Sequence, residues 1–229
     1  DDIPVIMISG HANVQMAVDS LKLGAFEFIQ KPFSSERLIN FTKRAAENIN
    51  LKKEKNVLEE KLFHSYDIIG ESQSIEKVKN LINKLRNTES RIFISGPAGS
   101  GKELVARQIH KQSTRSRKPF VVVNGALLDP QKYERELFGL ENTNETINYG
   151  LFEKAGDGTL LIDEVSEIPL ETQAKILRVL IDQKFKRVNG SKEINVNVRI
   201  ISTSSKIIRE EVDQGNFRED LYHRLSVVP

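Results

Sequence analysis

Residues 91–103 read Arg-Ile-Phe-Ile-Ser-Gly-Pro-Ala-Gly-Ser-Gly-Lys-Glu, and this stretch constrains the fold more than any other. An apolar run of strand character enters a glycine-rich loop, and a run of helical character leaves it. Glycines let successive backbone N–H groups turn inward around one point. The helix that follows aims the partial positive charge of its N-terminus at the same point. Gly96, Pro97, Ala98, Gly99, Ser100, Gly101 and Lys102 thus read as a phosphate cradle, with Lys102 reaching the outer phosphates. The pattern is G-x-x-x-x-G-K, but Glu103 follows where Ser or Thr ordinarily ligates magnesium. The competing reading is a glycine turn before a helix with a chance lysine. The order strand, loop, helix favours the cradle.

A second motif, Gly158-Thr-Leu-Leu-Ile-Asp163-Glu164, is an apolar strand ending in two carboxylates. In phosphoryl-transfer sites such an Asp holds Mg2+ and a neighbouring Glu polarises the attacking water. Alone it would read as a strand followed by a solvated acidic turn. Beside the cradle it reads as the other half of an ATP–Mg2+ site, with Asp163 for the metal and Glu164 for the water.

Composition narrows the remaining classes. A chain of 229 residues, 38% hydrophobic and 29% charged, has room for one large domain or one and a half ordinary ones, with a real core. A net charge of +2 does not argue for nucleic acid or membrane, and the densest basic run, residues 115–118, reads as a solvated loop. Without cysteine, disulfides and thiolate metal sites are excluded, and a reducing, cytoplasmic location is expected. No stretch is apolar enough to span a membrane, and Asp-Asp-Ile-Pro does not open a signal peptide. Both ends read as cut, because apolar runs stand directly at them.

The pattern divides the chain into three zones. Residues 1–48 predict strand (5–8), helix (14–23), strand (26–29), a Lys31-Pro32 corner and a helix capped by Ser34 or Ser35, with Gly24 as a helix C-cap. This β-α-β-α order is the signature of a parallel sheet, and it is half a domain. Residues 49–65, with Leu51, Leu58 and Leu62 among Lys and Glu, predict a charged helical linker, either a dimerising coiled coil or a plain amphipathic helix. Residues 66–229 alternate helices with apolar strands at 91–95, 120–123, 159–162 and 198–202, an α/β nucleotide-binding sheet.

These motifs together resemble the NtrC-type, NtrX-like bacterial response regulators, the enhancer-binding proteins whose AAA+ domain activates the sigma-54 RNA polymerase. The resemblance implies a parallel-sheet P-loop AAA+ core preceded by the C-terminal half of a flavodoxin-like receiver domain and a helical linker. In the first zone Ser9 matches the family's hydroxyl switch and Lys31-Pro32 its lysine–proline pair. Taken singly these are a strand-end hydroxyl and a surface lysine; their joint placement at two strand ends carries the match. The phosphate-accepting aspartate of the family lies upstream of Asp1. Ile68-Ile69-Gly70-Glu71-Ser72 is similar to the segment that packs on adenine, so Ile69 and Gly70 join the nucleotide site. Glu103 follows the lysine in the family loop as well. Glu136-Leu-Phe-Gly139, Gly150-Leu-Phe-Glu153 and the run from Gln173 to Leu180 match family landmarks. Asn124 matches the residue that hydrogen-bonds the catalytic Glu and switches it; by itself it is an Asn ending a strand. Arg218 and Arg224 match the segment whose arginines act on a neighbouring subunit's phosphate, for which a planar, permanently charged fork is suited.

Three departures stand beside these matches. The segment between Glu141 and Gly150 is Asn-Thr-Asn-Glu-Thr-Ile-Asn-Tyr, shorter than the family loop and without its Gly-Ala-Phe-Thr-Gly-Ala tip. Ser204-Ser205 stands where the family has Thr-Asn, the pair that reads the γ-phosphate. Gly125 stands where the family has cysteine. The resemblance implies an ATP-hydrolysing transcription regulator of a two-component system. Its partners would be a sensor histidine kinase, copies of itself in a dimer and a ring, RNA polymerase, and DNA through a domain following Pro229. The departures weigh against sigma-54 remodelling. They leave open a DNA-bound regulator that binds nucleotide without it, while the receiver-like half argues against a generic AAA+ motor.

Overall fold

The computed structural model describes residues 3–11, 13–64, 66–129, 132–142 and 147–228, apart from the side chains of 52, 53 and 55–64. The chain divides into two compact units, residues 1–65 and 66–229.

In the first unit β1 (Ile6–Ser9) is followed by α1 (Val14–Lys22), β2 (Glu27–Gln30) and α2 (Ser35–His64). The two strands pair in parallel, with Ser9 opposite Gln30. Asn13 caps α1 by accepting the Met16 N–H at 2.8 Å, and Gly24 turns the chain out of it at φ 97°. The Ser34 hydroxyl accepts the Arg37 N–H at 3.3 Å at the start of α2, as the sequence leads one to expect. α2 runs on without a break through the predicted linker. Leu51 is exposed on it; the side chains of Leu58 and Leu62 are among those not described.

The second unit opens with α3 (Gln73–Leu85), β3 (Ile92–Ser95), α4 (Lys102–Lys111) and β4 (Phe120–Asn124). Two short helices follow, α5 (Tyr133–Phe138) and α6 (Leu151–Ala155), with the antiparallel pair β5 (Leu140–Glu141) and β6 (Ile147–Asn148) between them. Then come β7 (Thr159–Asp163), α7 (Leu170–Asp182), the hairpin of β8 (Lys184–Lys186) and β9 (Glu193–Asn195), and β10 (Arg199–Ser204). α8 (Ile208–Asp213) and α9 (Glu219–Leu225) close the unit.

The main sheet has the order β3-β10-β7-β4, all parallel. Its strands are continuous apolar runs because helices cover both faces. Alternation sorts the side chains. Leu160, Ile162 and Ile200 point to a core shared with α5, α6, α7 and α9. Leu161 and Ile201 point to a second core with Ile82 and Leu85 of α3 and Ala106 and Ile109 of α4. Phe152, at the centre of the first core, is fully buried and stacks on Phe138 with centroids 5.5 Å apart. Because all four strands run the same way, Ser95, Asn124, Asp163 and Ser204 end together at one edge of the sheet. In open parallel sheets that carboxyl edge is where ligands bind.

Candidate functional site

The turn after β3 needs conformations that L side chains avoid. Gly99 and Gly101 have φ of 76° and 88°, and a Cβ on either would meet open space. This is a loop with its inner side clear, and α4 starts directly from it. Lys102, the first residue of α4, is buried. Its ammonium donates to the carbonyls of Gly96 (3.0 Å) and Pro97 (3.2 Å) and lies 3.2 Å from Glu164 Oε1. A buried cation held by loop carbonyls and one carboxylate, at the N-terminus of a ten-residue helix, is a donor set that suits phosphate oxygens. Ser204 O accepts the Gly96 N–H at 3.2 Å and so ties the loop to β10.

Register brings Asn124 opposite Asp163. Asp163 is bound from both sides: Asn124 Nδ2 donates to Oδ2 at 2.8 Å, and the Thr203 hydroxyl donates to Oδ1 at 2.6 Å. The resemblance leads one to expect Asn124 on Glu164; the structure instead puts it on Asp163. The physical reason is the register, which sets the amide beside the last strand carboxylate while Glu164 has already turned away in a left-handed conformation, φ 51° and ψ 56°.

Glu164 is held elsewhere. Its N–H donates to the Thr203 hydroxyl at 3.0 Å, and its Oε2 accepts both the N–H and the hydroxyl of Ser205, each at 2.8 Å. Burial pushes this carboxyl up, but the Ser205 donors and the Lys102 ammonium outweigh it and hold the carboxyl below its ordinary value. Thr203 was not singled out from sequence. A hydroxyl in the last turn of a strand, one residue before the serine pair, is the signal that could have marked it.

The remaining predicted residues are placed as follows. Glu103 is paired with Arg107 one turn along α4 at 2.7 Å. Ile68 packs against the α3–α4 core, while Ile69 is 92% exposed and Gly70 O accepts from Lys79 Nζ at 2.8 Å. A cavity of about 400 Å3 beside the loop is lined by Val78, Ile82 and Ile94 on one side and Gly96, Pro97 and Lys102 on the other. Arg218 and Arg224 are exposed at α9. The Arg218 guanidinium is clamped by Asp220 at 2.7 and 3.0 Å, and its backbone N–H donates to the buried Gln173 side chain at 2.9 Å. In the first unit Lys31 N–H donates to Ser9 O at 2.8 Å, so the two predicted switch residues are adjacent at the strand ends; the Ser9 hydroxyl donates to His11 O at 2.9 Å.

The short segment after Glu141 has a fixed base. Arg187, on the β8–β9 hairpin, makes a bidentate pair with Glu153 (2.9 and 2.6 Å) and lies over the Tyr149 ring at 5.4 Å. The tip, residues 143–146, lies outside the described residues.

Among the described residues no group of three or more His, Cys, Asp or Glu could hold a metal by protein ligands alone. No helix is long and apolar enough to cross a membrane among the described residues.

Residues 68–229 match the family described as the Sigma-54 interaction domain, and residues 1–43 match the Response regulator receiver domain. The nitrogen assimilation regulatory protein NtrX of Azorhizobium caulinodans is 46% identical over 229 residues, which is all of this chain and 50% of that protein. The DNA-binding transcriptional regulator NtrC of Escherichia coli is 37% identical over 231 residues, 99% of this chain and 49% of that protein. The chain thus spans about half the length of these curated relatives. A crystal structure of NtrX from Brucella abortus, 47% identical, superposes with a TM-score of 0.79 over 100% of this chain and 51% of that one. A crystal structure of the same protein in complex with ATP is 46% identical, with a TM-score of 0.73 over 100% and 52%. This chain belongs to the sigma-54 interaction domain family, joined to a response-regulator receiver segment as in NtrC- and NtrX-type regulators.

Proposed function

We propose that this chain binds and hydrolyses ATP with Mg2+ as the regulatory ATPase of a two-component response regulator. One observation carries the reading: Lys102, Asp163 and Glu164 meet at the carboxyl edge of the parallel sheet, with the glycine loop open beside them. The loop N–H groups and Lys102 bind the triphosphate. Asp163 holds the magnesium ion, which supplies charge neutralisation at the phosphates. Glu164 accepts the proton of water as its oxygen bonds to the γ-phosphorus and the bond to the bridging oxygen breaks, leaving ADP and phosphate. Asn124 and Thr203 orient Asp163. Ile69 and Gly70 border the base, and the apolar cavity beside the loop suits it. Arg218 and Arg224 serve the site of a neighbouring subunit in a ring.

In this reading residues 1–48 are part of a receiver domain with Ser9 and Lys31 as its switch, residues 49–65 a linker, and residues 66–229 the ATPase domain. A sensor histidine kinase phosphorylates the complete receiver in the cytoplasm, and a further domain binds DNA. The NtrX crystal structure with ATP supports nucleotide binding by analogy. The test is phosphate release by full-length protein against its Glu164→Gln variant; equal rates would refute hydrolysis at this site.

A second reading is favoured by residues 142–149. A polar segment with Ile147 and Tyr149 as its only large apolar residues has no aromatic anchor at its tip to bury in a polymerase. The protein then regulates transcription from DNA without remodelling sigma-54 polymerase. Open-complex formation with purified sigma-54 holoenzyme decides between the two: robust ATP-dependent opening would exclude the second.

A further inference from the structure

Two of the sequence departures converge on one residue, Glu164. Glu164 Oε2 takes both of its hydrogen bonds from Ser205, through the N–H and through the hydroxyl. Asn124, which the family resemblance pairs with Glu164, is committed on both ends: Nδ2 donates to Asp163 and Oδ1 accepts the Ala126 N–H at 2.9 Å. The Glu164 backbone is set with equal care. Its N–H is on Thr203, and its carbonyl oxygen approaches Gly125 so closely that a Cβ there would overlap it. Gly125 itself is fixed, since its N–H donates to Asp163 O at 2.7 Å and its carbonyl accepts from the Tyr133 hydroxyl. Any side chain at position 125 would have to push the left-handed turn of Glu164 away.

We propose that Ser205 is the positioning residue for Glu164 in this chain, and that Gly125 provides the room its turn requires. The inference rests on the reading of Glu164 as the group that takes the proton from water. A triphosphate competes for Lys102 with more charge than one carboxylate offers, so phosphate binding releases Oε1 while Oε2 stays on Ser205. The hydroxyl of serine, one bond from Cβ, reaches Oε2 at 2.8 Å. A longer amide would carry its donor past that point. Serine at this position is therefore matched to glycine at 125: the backbone of Glu164 sits closer to β4, and a short donor from β10 meets its carboxylate.

Hydrolysis is measured on the full-length protein and on Ser205→Ala, Ser205→Thr, Gly125→Ala and Asn124→Ala, and the Glu164 carboxylate is located in crystals of each. Ser205→Ala is expected to lower kcat roughly tenfold, the loss of one hydrogen bond to a charged group, with KM for ATP within about twofold. Ser205→Thr restores the hydroxyl and returns kcat. Gly125→Ala lowers kcat with the fold retained. Independently of turnover, the Glu164 carboxylate leaves its place beside position 205 in Ser205→Ala and regains it in Ser205→Thr. If wild type and Glu164→Gln hydrolyse ATP equally, the hydrolysis reading fails and the place of the carboxylate alone decides the positioning. A Glu164 carboxylate unmoved in folded Ser205→Ala, or one that moves in Asn124→Ala instead, overturns the proposal.

Discussion

Lys102 Nζ stands 3.2 Å from Glu164 Oε1, so the residue proposed to hold phosphate and the residue proposed to activate water share one contact. The two elements that carry them, α4 and the turn after β7, are 62 residues apart in numbering, from 102 to 164. Removing the carboxylate charge frees the ammonium and lifts a repulsion against the triphosphate. Glu164→Gln is expected to bind Mg-ATP several-fold more tightly, about 1 kcal/mol, while phosphate release falls by about 10²-fold or more. Calorimetry that finds weaker binding in the folded variant would contradict this relationship.

The cradle itself depends on Lys102. Lys102→Ala removes a buried cation from the Gly96 and Pro97 carbonyls as well as from the phosphate. Affinity for ATP is expected to drop roughly a hundredfold, ~3 kcal/mol for charge-assisted bonds. An affinity equal to wild type, with the fold verified by circular dichroism, sinks the phosphate assignment.

Arg218 rests on Asp220 in this chain and is exposed. A site that needs this guanidinium from a neighbour is complemented in trans. Neither Arg218→Ala nor Glu164→Ala protein alone should hydrolyse ATP at an appreciable rate, given the ~10³–10⁵ contribution of an arginine finger. Mixing the two should recover part of the activity. Absence of recovery in a confirmed assembly would remove Arg218 from the shared site.

His110 supplies a pH dependence of stability. Its Nδ1 lies 2.9 Å from the Thr159 hydroxyl, its ring packs on Phe120, and burial, helped by nearby Arg199, Arg107 and Arg115, pushes it down to about 4. In the unfolded chain the imidazole takes its proton near 6.5. Between these values the unfolded chain binds the proton and the folded one does not, so stability falls as the pH is lowered through 6.5 toward 4, by up to about 3 kcal/mol. Above that window the group is neutral in both states and contributes no slope. Urea midpoints at pH 7.5 and 5 should differ less in His110→Gln than in wild type; identical differences would reject the assignment.

Arg187 and Glu153 form a nearly buried bidentate pair beneath the segment after Glu141. Truncating one partner leaves the other charge uncompensated. Arg187→Met is expected to cost about 3 kcal/mol, and Glu153→Gln in the same background much less than alone. Additive losses in that double-mutant cycle would show that the pair is not coupled.

The glycine loop, the four strands of the main sheet and the Asp163-Glu164 pair at a strand end were legible in the sequence because each rests on local physics. Apolar runs bounded by turns mark buried strands, and glycines mark backbone that must turn where side chains cannot. The cap of α2 and the turn at Gly24 were legible for the same reason; the Asn13 cap of α1 was not singled out. The partners of the carboxylates were not. Which donor meets Asp163 and which meets Glu164 follows from strand order and register, which bring β4, β7 and β10 together from distant parts of the chain. The resemblance put Asn124 on Glu164, and the tertiary structure put it on Asp163, with Ser205 on Glu164. The physical reason is that a hydrogen bond is made or missed over a few tenths of an ångström, and the backbone of Glu164 lies so close to Gly125 that a Cβ there would overlap it.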